Sequence, residues 1–425
     1  MRRIAREIVG VLAVLFVAAV SAKFAELLRS FILGSIEHLY RGENAIDGIA
    51  RTHTITVVVY IAIAILVARA LNKFAQKWRP GQLGLEVIGD AARGEGPGSS
   101  LEGTLIRSSA TAIVCAAGTS IGRESAILET SGALGSFVGR RMWGFGPAIA
   151  AGGIAAAFAA AYHAPFGAVL YVGEHLKIFG HRRAMLYAAI GSAFSNFLTV
   201  KFLEGKPIFY TMTGAWTIGG TLVAGAIVSL PAFIGARSFL RLREKLPKIE
   251  LLQKKPTLTL GVSIAVSALL VSWFPETAAN GMEAIRLVAT PGGVTIAIAM
   301  ALAIAKMVAV SATVNAKAPG GVFAPTLAVT AGWGLAAYMI LEKTGLHVAG
   351  SHQEVMVISM TIGVAVGLHA PWLGAVVIAE MSGHLGLLPV CAVSSYMGHL
   401  MVHGLDRYDR ARNVVLPEEM HDEDA

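Results

Sequence analysis

Two short stretches carry residues able to do chemistry. The first, SIGRESAI at residues 120–127, sets Arg123 and Glu124 at the edge of an apolar run. The second, NAKAPGGVFAPTLAV at 315–329, puts Pro319, Gly320, Gly321 and Pro325 around the start of another. There the Pro and Gly residues predict an extended turn leading into a helix whose first-turn N–H groups have no intrahelical acceptor. Free amides and the positive end of the helix dipole attract anions. Two such helix starts brought together would hold a partly dehydrated anion without a full Lys or Arg charge, which would bind it too tightly for release. Glu124 then acquires a task. A carboxylate at the mouth of the site occupies it as a tethered anion, and protonation releases it so that a free anion can enter. An amide or aliphatic side chain cannot trade charge in this way. Arg123 is read as supporting local architecture or the potential at the entrance. The plain alternative for the pair is a polar loop at a membrane surface.

The elements that must position these residues are apolar helices. Of 425 residues, 55% are hydrophobic and 15% charged, and the mean hydropathy is +0.64. A soluble domain carries roughly a quarter of its residues charged. Apolar runs recur near 8–20, 55–70, 104–121, 146–173, 186–200, 212–236, 258–274, 293–314, 322–341, 354–380 and 385–403. A helix crossing a bilayer needs about 20 residues, so the chain reads as an all-α polytopic membrane protein with roughly ten or more helical segments. The first run follows MRRIAR without a clear cleavage site and is expected to be a retained helix with a cytoplasmic amino terminus. Basic runs (KWRP, GRR, HRR, RLREKLPK) mark further cytoplasmic ends. They account for the net charge of +8, and no aromatic-basic pattern points to nucleic acid. Cys115 and Cys391 lie in apolar stretches, form no disulfide framework and match no metal spacing. The 47 glycines and long Ala-rich runs suit close helix packing in lipid, and Pro or paired Gly within several runs predicts broken or re-entrant helices.

The chain also repeats itself. Residues 163–174 read HAPFGAVLYVGE and residues 369–380 read HAPWLGAVVIAE, 206 residues apart. Two homologous halves are expected, 1–205 and 206–410, with a binding site where they meet. The basic stretch RSFLRLREKLPKIELLQKKP falls after the midpoint as a linker within the second half, and 411–425 is a short acidic tail with no soluble regulatory domain. His163 and His369 stand in the repeated segment beside Ala-Pro and are read as packing residues. No HExxH motif accompanies them, and no Ser-His arrangement accompanies GRES, so neither an enzyme nor a cofactor is expected.

Together these motifs resemble the CLC family of chloride channels and proton-coupled chloride exchangers over nearly the whole membrane portion. The family's GREGP motif is matched by Gly122, Arg123, Glu124, Ser125 and Ala126, the first three identical. Its GxFxP motif is matched by Gly321, Val322, Phe323, Ala324 and Pro325. Its APL-type segments correspond to Ala164-Pro165-Phe166 and Ala370-Pro371-Trp372. The resemblance implies an antiparallel inverted repeat with tilted, broken and re-entrant helices, and a homodimer in which each subunit has its own anion pathway. By similarity Glu124 is the external gating glutamate, and the N–H groups of Phe323 and Ala324 line the central anion site. Tyr408 is the match for the family's central tyrosine, ahead of Tyr396; an interfacial anchor would also explain Tyr408.

Two departures bear on function. The family's GSGIP motif falls on Gly81, Gln82, Leu83, Gly84, Leu85 and Glu86, with neither serine nor proline. Leu83, near the serine's place, has no side-chain donor, although backbone amides there remain. The family exchangers' inward-facing glutamate aligns with His175, which follows Glu174. Histidine titrates near neutrality and is able to relay protons. The resulting expectation is chloride transport gated by Glu124 and coupled to protons, set ahead of an uncoupled channel. Preference for fluoride or nitrate is the rival within transporters, and a non-transporting scaffold or a membrane enzyme is more remote. The expected setting is a bacterial inner membrane, with lipid, chloride, protons and a second copy of the chain as partners.

Overall fold

The computed structural model describes residues 2–42, 44–96, 98–142, 144–203, 208–209, 218–289, 295–345 and 351–415. The fold is all-α: among the described residues, the pairing of Gly122 with Gly321 is the one isolated β-bridge. Among the described residues, seven helices are long and apolar enough to cross a membrane, including Thr54–Trp78, Pro256–Trp273 and Phe323–Lys343. Other apolar runs break within the protein. The run 146–173 forms the Gly146–Tyr162 helix, stops at His163, and restarts at Pro165. The run 354–380 does the same between the His352–Gly367 and Pro371–Ser382 helices. His163 and His369 both take left-handed φ values, 55° and 53°. In each repeat the following Ala-Pro then begins a new helix, since a first-turn proline has no N–H to satisfy.

The basic stretch expected as a linker is mostly helical. Arg237 to Lys245 complete the Ile218–Lys245 helix, and Pro256 opens the next long one. Charged residues at the end of an apolar helix continue its backbone hydrogen bonding at no cost while their heads reach water. Of the tail expected over 411–425, residues 411–415 complete the Leu388–Val415 helix and 416–425 lie outside the described residues.

Packing explains the glycine content. The Glu124–Arg140, Gly146–Tyr162 and Arg182–Phe202 helices touch backbone to backbone: a Cβ at Gly153 would collide with the Ser131 carbonyl, and one at Gly191 with the Gly152 carbonyl. Lipid tails offer no hydrophobic drive to association, so close contact of this kind supplies it.

The repeated glutamates join the two repeated segments reciprocally. Glu174 accepts hydrogen bonds from the Trp372 and Leu373 N–H groups at 3.1 and 2.8 Å. Glu380 accepts from Phe166 and Gly167 at 3.0 and 2.6 Å. Each carboxylate thus closes the first turn of the other segment's short helix, where free amides and the dipole favour negative charge.

Candidate functional site

The site is built on the bridge. Gly122 N–H donates to the Gly321 carbonyl at 2.8 Å, and Gly321 N–H returns a bond to Gly122 at 2.7 Å. This pair sets two helix starts face to face, Glu124–Arg140 on one side and Phe323–Lys343 on the other. The sequence demands glycine here, because a Cβ at Gly122 would strike Glu124 Oε2 and meet the Gly321 carbonyl at 2.9 Å. Phe323 and Ala324 are the first two residues of their helix, Val322 is its N-cap and Pro325 is third. Their amides are among those without an intrahelical acceptor by position. Ser125 lies against the bridge from the other side, its N–H 3.1 Å from where a Gly321 Cβ would stand.

Glu124 folds back over this bridge and is 5% exposed. Its Oε1 accepts from Asn280 Nδ2 at 2.5 Å, and its Oε2 is buried without a hydrogen-bond partner. The carboxylate forms the floor of a cavity of about 430 Å³, also lined by Arg29, Arg123, Tyr162, Asn280 and Arg286. Arg123 is the N-cap of the helix, makes no side-chain capping bond, and faces this vestibule rather than pairing with its neighbour.

Three features here escaped the sequence reading. Lys306, fully buried, donates from Nζ to the Thr277 and Ala279 carbonyls at 2.8 and 3.0 Å, to Ser120 Oγ at 3.2 Å and to the Ala278 carbonyl at 3.4 Å. It follows a π-helical turn at Ala301–Ala305, a distortion that often accompanies functional sites. Its signal was available, since it is the single charge in the run 293–314, and an ionisable residue inside a span is a functional candidate by default. Asn280 gave no such signal. Tyr162 contributes a buried hydroxyl without a partner and packs its ring 4.8 Å from that of Phe323.

His175 sits elsewhere. Its Nδ1 is 3.0 Å from the Leu368 carbonyl, and its ring lies 5.0 Å from that of Tyr171. An aromatic column connects it to the bridge: Tyr171 stacks on Phe158 at 4.7 Å, and Phe158 meets Phe323 at 5.6 Å. Leu83 and Gly84 are placed with another element. Leu83 packs toward Gly103 in the first turn of Leu101–Ala116, and Gly84 is the N-cap of Leu85–Arg93. The neighbouring Gln82 carbonyl accepts from Ser99 Oγ and Ser100 N–H, each at 3.1 Å. Tyr408 belongs to the Leu388–Val415 helix, but its side chain lies outside the described residues. Tyr396 is 59% exposed on that helix, on the exterior of the chain.

Paired helix starts facing a buried carboxylate, within a bundle of apolar helices, define a multi-pass integral membrane protein of the anion-transport class. Residues 63–403 match the family model described as voltage gated chloride channel, and the chain belongs to this CLC family. It is 29% identical over 335 residues to the voltage-gated ClC-type chloride channel ClcB of Salmonella typhimurium, covering 71% of this chain and 74% of the relative. The ClcB of Citrobacter koseri is 28% identical over 334 residues, covering 70% and 73%. Among solved structures, a slow cyanobacterial Cl−/H+ antiporter superposes with a TM-score of 0.77 at 15% identity, covering 93% of this chain and 94% of that one. A CLC-type fluoride/proton antiporter superposes at 0.70 and 17% identity, with the same coverage. The protein therefore transports anions across a membrane and is not an enzyme.

Proposed function

We propose that the chain is a chloride-conducting CLC protein whose pathway is gated by Glu124, with uncoupled conduction set ahead of proton exchange. The observation that carries the gate is the Glu124 carboxylate folded onto the Gly122–Gly321 bridge, buried and held by Asn280. It stands where two helix starts would hold a free anion, with the amides of Phe323 and Ala324 as ligands deeper in. Protonation cancels the charge that keeps it there, and the anion takes its place. Gly122, Ser125, Gly321, Val322 and Pro325 shape the two helix starts, and Arg123 raises the potential of the vestibule.

Uncoupled conduction is favoured by the inner end. His175 is engaged at Nδ1 with the Leu368 carbonyl, and Glu174 is committed to two backbone amides. Neither is a free carboxylate. The relatives named chloride channels agree with this ordering. Proton exchange is the second reading, because Glu124 itself takes up protons and histidine titrates near neutrality. Chloride stands ahead of fluoride and nitrate. We also read the chain as two repeats, 1–205 and 206–410, and as a homodimer. The repeat-related Phe166 and Trp372, each 68% exposed, offer a paired apolar face for a second copy.

The test is chloride efflux from proteoliposomes with internal pH recorded at the same time, and with fluoride and nitrate as substitutes. Flux without proton movement supports the channel; uphill proton movement driven by chloride overturns it in favour of the exchanger. Glu124→Gln is expected to conduct with less than about a twofold change across the pH range over which wild-type flux changes. An unaltered pH profile in this variant would sink the gate.

A further inference from the structure

We infer that Asn280 is a ligand of the transported anion as well as the latch of the gate. Its Nδ2 holds Glu124 when the site is closed and passes to the free anion when Glu124 leaves. The inference rests on the reading of Glu124 as a tethered anion.

The orientation of the Asn280 amide follows from donor and acceptor identity. Its Oδ1 accepts the Met282 N–H at 3.1 Å, which leaves Nδ2 facing Glu124 Oε1 at 2.5 Å. Flipping the amide would set oxygen against carboxylate and nitrogen against N–H, so a single orientation satisfies both ends. The backbone beneath it is held from two sides. Ala279 and Gly281 take left-handed φ values of 50° and 87°, and Ala279 N–H donates to the Gly118 carbonyl at 3.1 Å. Lys306 Nζ gathers the carbonyls of Thr277, Ala278 and Ala279. Gly281 has no room for a side chain, since a Cβ there would lie 2.6 Å from Lys306 Cε and 2.7 Å from the Ala328 Cβ. Asn280 is thus a donor fixed before any anion arrives, and preorganised donors need no rearrangement when charge comes to them.

Departure of the carboxylate removes the acceptor from Nδ2, in a cavity whose lining includes a Tyr162 hydroxyl that already has no partner. Donors stranded in this way are costly, and an anion entering from the vestibule satisfies both. This supplies a side-chain donor that Leu83 cannot. The charged and titratable groups around Glu124 are Arg123 on its own helix, Lys306, Cys115, and Tyr162 with His163 at the end of Gly146–Tyr162. Across the cavity stand Glu26, Arg29, Glu37, Glu283 and Arg286. Asn280 is neutral at every pH, so Asn280→Leu adds no charge among them, whereas Asn280→Asp adds a carboxylate.

The experiment measures chloride flux against concentration and pH for Asn280→Leu and Asn280→Asp, each alone and combined with Glu124→Gln. The aspartate keeps an acceptor for Met282 N–H and carries the test if the leucine variant does not fold. With Glu124 present, loss of the donor weakens the closed state, and half-maximal flux of Asn280→Leu moves upward by about one pH unit or more. In the Glu124→Gln background that shift disappears. The chloride concentration for half-maximal flux still rises, by about tenfold or more for either substitution. A purely structural loop residue would lower the maximum rate and leave that concentration alone. Half-saturation within twofold of the parent in both backgrounds overturns the ligand assignment. If Glu124→Gln flattens the pH profile while both Asn280 variants are inert, this inference alone fails. If Glu124→Gln leaves the profile intact, the gate fails with it.

Discussion

Two cations stand at matching distances from the two helix starts, Arg107 seventeen residues before Glu124 and Lys306 seventeen before Phe323. Their surroundings differ. Arg107 Nε donates to Glu129 at 2.8 Å, and its Nη1 donates to Asn72 at 2.7 Å. A planar fork thereby meets one carboxylate and one amide, and the net charge is cancelled. Lys306 meets three carbonyls and a hydroxyl, all neutral, and the carboxylate that acts on it electrostatically is Glu124. The first cation ties helices together. The second sets its Nζ among neutral acceptors close to Glu124 and ties down the turn that carries Asn280.

Stability measurements on the purified protein in detergent separate the roles of the two cations. The largest effect is expected for Arg107→Met, which leaves Glu129 buried and unpaired at about 3–5 kcal/mol. Arg107→Met combined with Glu129→Leu should recover most of that loss in thermal melting. Failure to recover would show that Arg107 does more than neutralise Glu129. Lys306→Met should cost less, about 1–3 kcal/mol, because the groups it strands are neutral carbonyls. It should also lower chloride flux at saturating anion, in a way Arg107→Met with Glu129→Leu does not. Equal fluxes from the two would show that Lys306 serves structure alone, as Arg107 does. The smallest change belongs to Ser120→Ala, which deletes one of four acceptors around Lys306 and should cost about 0.5–1.5 kcal/mol. A larger drop in melting temperature than for Lys306→Met would mean that Ser120, rather than the carbonyls, anchors the lysine.

Much of this was legible beforehand for reasons that differ by residue. GRES and GGVFAP mark helix starts because Gly, joined by Pro in the second, leaves a local signature, and the 206-residue echo of HAP…E marked two related segments. The paired glutamates Glu174 and Glu380 were visible in that echo, but their exchange of caps was not. A carboxylate and the amides that receive it lie about 200 residues apart in the chain, and nothing local records the pairing. Asn280 was hidden for the same reason. Lys306 was hidden for a different one, since a single charge in an apolar run shows that something must satisfy it without showing what.

The sequence by itself determined that the chain is an apolar helical bundle, that two helix starts introduced by glycine hold free amides, and that one of them carries a carboxylate. These are properties of composition, periodicity and local backbone preference, which act over a few residues. The tertiary structure decided that the two starts meet through one pair of backbone hydrogen bonds, that Glu124 lies over that pair, and that Asn280 holds it there from a turn tied down by Lys306. Those outcomes depend on contacts between groups far apart in the chain, where the cost of leaving a buried polar atom unpaired selects one arrangement among many that the local rules allow.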